Sequence, residues 1–189
     1  MSDKITELSR ELLKEIGENP EREGLKKTPE RMSQALKEIT TGYSTDVDKV
    51  LNNAFFNVAY KEMVIVKDIN FYSLCEHHML PFFGTVHVAY IPDGKIIGLS
   101  KIPRLVEAFS KRMQIQERLT MQIADTLYEK LKPKGVGVII EAQHLCMTMR
   151  GVKNKTAKAV TSSMLGSFLN DNRAREEFLL LVKNNSQDK

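Results

Sequence analysis

The stretch MVIVKDINFYSLCEHH, residues 63–78, decides how the chain is read. Met63 to Leu74 is dense in β-branched and aromatic side chains and reads as a strand. It runs straight into Cys75-Glu76-His77-His78. Farther on, VGVIIEAQHLC at residues 136–146 holds an alternating strand, Val136 to Ala142, that delivers His144 and Cys146. Both cysteines of the chain, and three of its four histidines, lie in these two segments. That is the composition of a thiolate–imidazole metal site, and zinc is the metal that fits best. Cys75, His78 and Cys146 are the candidate ligands. A zinc ion with three protein ligands keeps a position open for water, as catalytic sites do.

Cys75 and His78 are three apart, so a turn after a strand brings both onto one ion. His77 then stands free beside the metal. His144 and Cys146 are two apart, and in a strand such residues share a face. Spacing alone leaves other readings open. The cysteines can pair as a disulfide, although the polar start Met1-Ser2-Asp3-Lys4 has no signal-peptide run and points to the cytoplasm, where disulfides are rare. His77 or His144 can supply a fourth ligand to a structural zinc. His87 reads as an ordinary strand residue.

The 189 residues suit one domain with an N-terminal helical annex, 1–59 before 60–189. No run of about 18 apolar residues is present, so no membrane span is expected. The net charge of +4 is a mild excess, and no base-stacking aromatic motif accompanies the lysines. Nucleic acid and membrane are therefore not expected partners. Ile5, Leu8, Leu12, Leu13 and Ile16 form a helical stripe ending near Gly17. Thr28-Pro29-Glu30 reads as a helix start with Thr28 as cap, carrying Met32, Ala35, Leu36 and Ile39. A looser segment reaches Tyr60. Thr85 to Ile91 is a second strand, and Asp93-Gly94 a turn. Ser100 caps a helix with Ile102, Leu105, Val106 and Phe109 on one face. Leu119, Ile123, Leu127 and Leu131 mark another, with a break near Met113. Ala157 to Ser163 is a further strand, and a last helix starts near Asp171. The order predicts an α+β fold with antiparallel strand pairs.

Four linked motifs resemble the GTP cyclohydrolase I family. They are Cys75-Glu76-His77-His78, Gly98-Leu99-Ser100-Lys101-Ile102, Gln114-Ile115-Gln116-Glu117-Arg118-Leu119-Thr120, and His144-Leu145-Cys146 with Arg150-Gly151. They stand in the family's order from about Met63 to Val182, with a weaker match through Glu23-Gly24-Leu25 and Thr28-Pro29 to Arg31. The resemblance implies a tunnelling fold: a four-stranded antiparallel sheet with two helices on one side, plus an N-terminal helical extension. It also implies a toroidal homodecamer with active sites at subunit junctions. The implied reaction opens the imidazole ring of GTP, releases carbon 8 as formate, and yields 7,8-dihydroneopterin triphosphate on the way to folate or biopterin.

Under that resemblance Cys75, His78 and Cys146 hold Zn2+, whose Lewis acidity makes a nucleophile of water near neutral pH. His77 and His144 are the acid–base residues, since imidazole titrates near working pH. Glu117 accepts the paired donors of guanine, with Gln116 beside it, although composition alone reads Gln116-Glu117-Arg118 as a solvated helix face. Lys101, Arg104 and Arg150 match phosphate-binding positions, joined by Arg31 from the N-terminal region, and Ser100 offers a hydroxyl near the ribose or phosphates at a helix start that favours anions. Gln34 stands where some members carry a second basic residue. Two other readings compete. One is a related tunnelling-fold nitrile reductase, which needs a cysteine nucleophile and no zinc. The other is a non-catalytic zinc-stabilised binding module, for which Glu117, Arg104 and Arg150 would be needless.

Overall fold

In a computed structural model, described for residues 3–183, Asp3 opens the first helix, α1 (Lys4–Glu15). Its carboxylate accepts the Thr6 N–H at 3.0 Å and so fills the N-cap role. The same carboxylate accepts Ser33 Oγ and pairs with Lys37, both on α2 (Thr28–Ile39). Lys37 first, then the Thr6 amide and Ser33, hold Asp3 far below the usual carboxylate range. Thr28, expected as the cap of α2, is instead its first helical residue. Lys27 takes the cap position, and its ammonium has no acceptor to offer as a cap, while the Thr28 hydroxyl donates to Gly24 O. Along α1 the residues buried are Thr6 and Ser9, while Leu8, Leu12 and Ile16 of the apolar stripe stay exposed. These helices belong to one compact unit, Met1–Thr41; the rest of the chain, Gly42–Lys189, forms the other.

The second unit begins with α3 (Val47–Leu51), capped by Asp46, and a short strand β1 (Phe55–Asn57). Then come β2 (Val64–Cys75), β3 (Pro81–Ile91) and β4 (Lys95–Ile97). Two helices follow, α4 (Lys101–Ser110) and α5 (Gln116–Leu131), broken by the two-residue strand β5 (Met113–Gln114), where the sequence predicts the break. The chain continues through β6 (Gly135–His144), α6 (Leu145–Thr148), β7 (Ala159–Gly166), α7 (Ser167–Asn170) and α8 (Asn172–Lys183). The main sheet has the order β5-β2-β3-β6-β7. Its four long strands are antiparallel neighbours, so the expected α+β four-stranded sheet is present. β5 adds a parallel rung beside Leu74 and Cys75, and β1 pairs with β4 apart from the sheet.

Strand alternation divides the side chains between two faces. Phe82, Val86, Val88 and Tyr90 of β3, with Val136, Val138 and Ile140 of β6, point toward α4 and α5. The predicted stripes Ile102-Leu105-Val106-Phe109 and Leu119-Ile123-Leu127-Leu131 are buried there. Ala89 and Ile139 point the other way, onto Phe168 and Phe178 of α7 and α8. The two long helices therefore share one side, as expected, and the C-terminal helices add cover to the other. Gly137 makes that docking possible, since a Cβ there would meet the Phe178 ring at 2.9 Å. Ser100 precedes α4 in the cap position but makes no cap hydrogen bond; its own backbone is already helical (φ −65°, ψ −15°). That frees its hydroxyl.

Candidate metal centre and active site

The strand β2 ends at Cys75, and the chain must reverse within five residues to start β3. Cys75 does this with its own backbone: its N–H donates to Leu80 O, and its carbonyl accepts from His78 and Met79. Met79 takes a left-handed φ of 55° to close the turn. The turn places Cys75 Sγ 3.8 Å from His78 Nδ1. Cys146 completes a group of three whose ligand atoms all lie within 4.8 Å of one another. Tetrahedral zinc, with Zn–S of about 2.3 Å and Zn–N of about 2.0–2.1 Å, spaces a sulfur and a nitrogen ligand about 3.6 Å apart. The residues present therefore fit the ion. Both cysteines are free thiols. Burial pushes the Cys146 thiol up, and the neighbouring Cys75 adds to the shift.

His144 and Cys146 do not share a strand face, contrary to the expectation from their spacing. β6 ends at His144, and Cys146 belongs to the helical turn α6. Cys146 reaches the cluster from that turn. His144 keeps the strand geometry, paired across the ladder with Phe82, whose ring lies parallel to its imidazole at a centroid distance of 4.6 Å. Burial lowers the His144 pKa, opposed by the charge of Glu117. Glu117 is exposed in the first turn of α5. His77 is also exposed, its ring edge-on to His78 at 6.1 Å. Arg150 sits in the turn after α6, near enough for its charge to favour the Cys146 thiolate.

Gln116, expected beside the guanine, is buried, and its side-chain amide is used within the protein. Its nitrogen donates to Ile140 O, Ala159 O and Thr161 Oγ1 at 3.0–3.1 Å. Its oxygen faces His144 Nε2 at 2.9 Å. Sequence reasoning also missed Glu76 and Arg118. Their side chains form a two-pronged pair, Arg118 Nη1 to Glu76 Oε2 at 2.6 Å and Nη2 to Oε1 at 3.0 Å. Arg118 chiefly holds Glu76 below the usual carboxylate range. The pair ties the Cys75–His78 turn to the start of α5. A signal existed, since each residue sits inside a quoted motif.

Of the phosphate candidates, Arg150 stands beside this cluster, while Lys101 and Arg104 belong to α4. The β2–β3 ladder runs from Leu74–Pro81 at the cysteine end to Val64–Tyr90 at the other, about 30 Å at roughly 3.3 Å per residue. Ile97 donates its N–H to the Tyr90 hydroxyl, so the approach to α4 lies at the far end. There Lys101 Nζ donates to Val50 O. Arg104, a turn later, lines a cavity of about 290 Å³ at the edge of β2 with Asn70, Tyr72 and Lys111. Arg31 is exposed on α2, in the other unit.

A model of the GTP cyclohydrolase I family matches residues 5–183. The chain is 54% identical over 187 residues to the GTP cyclohydrolase 1 of Campylobacter lari, covering 99% of this chain and 98% of that protein. It is 56% identical over 180 residues to the GTP cyclohydrolase 1 of Chlorobaculum tepidum, covering 95% and 80%. Among solved structures, an archaeosine synthase QueF-Like in the apo form aligns with a TM-score of 0.47 at 17% identity, over 55% of this chain and 93% of that one.

Proposed function

The chain belongs to the GTP cyclohydrolase I family, and from that premise we propose zinc-dependent hydrolysis and rearrangement of GTP to 7,8-dihydroneopterin triphosphate, with release of formate. The enzyme class comes from the family; the metal, the product and the residue roles are the proposal. The observation that carries it is the cluster Cys75–His78–Cys146, a three-ligand group among the described residues, set beside His144 and within the field of Glu117. Zinc bound there supplies Lewis acidity and an open coordination position for water.

The chain's own residues supply the rest. Glu117 accepts the N1–H and 2-amino group of guanine and fixes the purine against the cluster. His77 and His144 move protons at the ring nitrogens as the imidazole opens. Arg150 takes up phosphate charge beside Cys146. Ser100, Lys101 and Arg104 do so from the start of α4 of a neighbouring copy, and Arg31 adds to them. Such sharing fits a toroidal homodecamer. The product feeds pterin synthesis toward folate or biopterin. The free thiols suit a reducing compartment, and the cytoplasm is the proposed location. No helix of the described residues is long and apolar enough to cross a membrane.

The test is incubation with GTP, following pterin absorbance and formate together with zinc content. Cys146→Ser should lose metal and turnover in parallel, and chelation should abolish turnover reversibly. Full zinc and full turnover in Cys146→Ser would remove that thiol from the site.

A further inference from the structure

We propose that Gln116 is a positioning residue that sets the tautomer of His144, keeping the ring proton on Nε2 and leaving Nδ1 as the nitrogen that exchanges a proton with substrate. The proposal rests on the reading of His144 as an acid–base group.

The orientation of the Gln116 amide is not free. It lies between β6 and β7, with two of its neighbours, Ile140 O and Ala159 O, backbone carbonyls. Carbonyl oxygens only accept, so the NH2 end must face them. A flipped amide would set three oxygens against one another and lose both bonds. The threonines agree on the same direction. Thr120 Oγ1 lies 2.7 Å from Gln116 O, again a carbonyl, so the Thr120 hydroxyl donates there. Its oxygen must then accept from Thr161, 2.7 Å away. Thr161, having given its proton to Thr120, accepts from Gln116 Nε2 at 3.1 Å. The chain thus runs one way, from the Gln116 amide through Thr161 and Thr120, and ends on the Gln116 backbone carbonyl.

The oxygen of Gln116 is therefore left for His144, 2.9 Å from Nε2. An amide oxygen has no proton to give, so Nε2 must carry one. In the neutral ring Nδ1 is then the bare nitrogen. Among the described residues the ring has no other hydrogen-bond partner. Stacking on Phe82, with 7° between the planes, holds the ring in the orientation that keeps the Nε2 bond. Gln116 and Thr120 are one helical turn apart, and Thr161 belongs to β7, so three elements converge on one imidazole edge.

The decisive measurement is the 15N spectrum of the zinc-loaded, otherwise unmodified enzyme with labelled histidine, with the His144 signals identified by their loss in His144→Asn. A proton on Nε2 alone is expected. A proton on Nδ1, alone or together with Nε2, overturns the proposal. Kinetics give a second reading. Gln116→Met keeps the bulk and removes the acceptor; kcat for GTP should fall by about tenfold or more while KM moves less than about twofold. In a His144→Ala background the same change should cost almost nothing further. A raised KM with kcat intact would mean that Gln116 binds the base, and overturns the proposal. If Gln116→Met does not fold, the spectrum of the parent still decides. Full turnover by His144→Ala sinks the acid–base reading, and the proposed role of Nδ1 with it; an Nε2 proton seen alongside shows that the geometry was right and the chemistry wrong.

Discussion

Two imidazoles on neighbouring strands, His87 buried and His144 half-buried, have opposite relations to their surroundings. His144 presents an N–H to Gln116, whereas His87 on β3 accepts one, from the Asp68 amide to its Nδ1 at 3.2 Å. Asp68 lies in the β2 bulge between Val66 and Ile69, at a φ of 59°, and the His87 ring fills the gap the bulge leaves in the ladder. Burial lowers the His87 pKa, against the carboxylates of Asp68 and Glu141 and in line with Lys67. His87 is thus the ordinary strand histidine that the sequence suggests. A base whose folded pKa is depressed stabilises the fold fully above its unfolded pKa, about 6.5, and loses that contribution as pH falls through it. Urea unfolding at matched zinc should therefore show the parent losing stability more steeply than His87→Asn between pH 7.5 and 5.5. The difference in slope is at most about 1.4 kcal/mol per pH unit. Parallel slopes would refute the assignment. At Glu117 the expectation concerns the base. A charged hydrogen-bond partner contributes roughly 1.5–3 kcal/mol, so Glu117→Ala should weaken GTP binding by at least about tenfold at unchanged zinc content. ATP, lacking the paired donors, should not react with the parent. Calorimetry giving equal GTP affinity for both proteins would place guanine recognition elsewhere.

At the scale of elements, the Glu76–Arg118 pair joins the metal turn to the helix that carries Gln116 and Glu117. Backbone adds to it: Glu76 N–H donates to Gln114 O, and β5 lies beside Leu74 and Cys75. Arg118→Ala should thus loosen both halves of the site, lowering zinc affinity or turnover by about 10–100-fold. Arg118→Lys should recover little, because an ammonium cannot make two parallel bonds to one carboxylate. Unchanged zinc titration and turnover in Arg118→Ala would show the pair to be mere surface decoration. This link also marks the limit of sequence reading. Strands that run into Cys75 and His144, the break near Met113 and the stripes of α4 and α5 are local patterns of period 2 or 3.6, and each is where the sequence indicates. The grouping of Cys75, His78 and Cys146 is legible because thiols are scarce. Gln116 is not, since its partners Ile140 O, Ala159 O and Thr161 come from strands 24 to 45 residues away. Thr28 and Ser100 are misread as side-chain caps because cap preference is statistical, and here each hydroxyl or backbone has another disposition. Cys146 reaches the thiol–imidazole group by a geometry other than the one expected, as the strand stops one residue after Gln143.

At the scale of the whole molecule, the proposed metal-binding residues and the proposed phosphate-binding residues of α4 form two groups in one chain. The thiol–imidazole cluster, Glu117 and Arg150 lie at the end of the sheet where β2 turns into β3. The start of α4, with Ser100 and Lys101, is reached from the other end, by Tyr90 and Val50. Under the proposed function a head-to-tail contact between copies completes the site, setting the start of α4 of one chain against the metal cluster of the next; repeated around an axis, such a contact generates a ring. Complementation tests this directly. Cys146→Ser spoils the metal half and Lys101→Ala the phosphate half, so each protein alone should have little or no activity with GTP. When the two are co-expressed and assemble at random, each junction takes its metal half from one copy and its phosphate half from the next. About one junction in four then has both halves intact, and roughly a quarter of the parent's turnover should return. If each chain instead completed its own site, every site in the mixture would retain one lesion, and mixing would restore nothing.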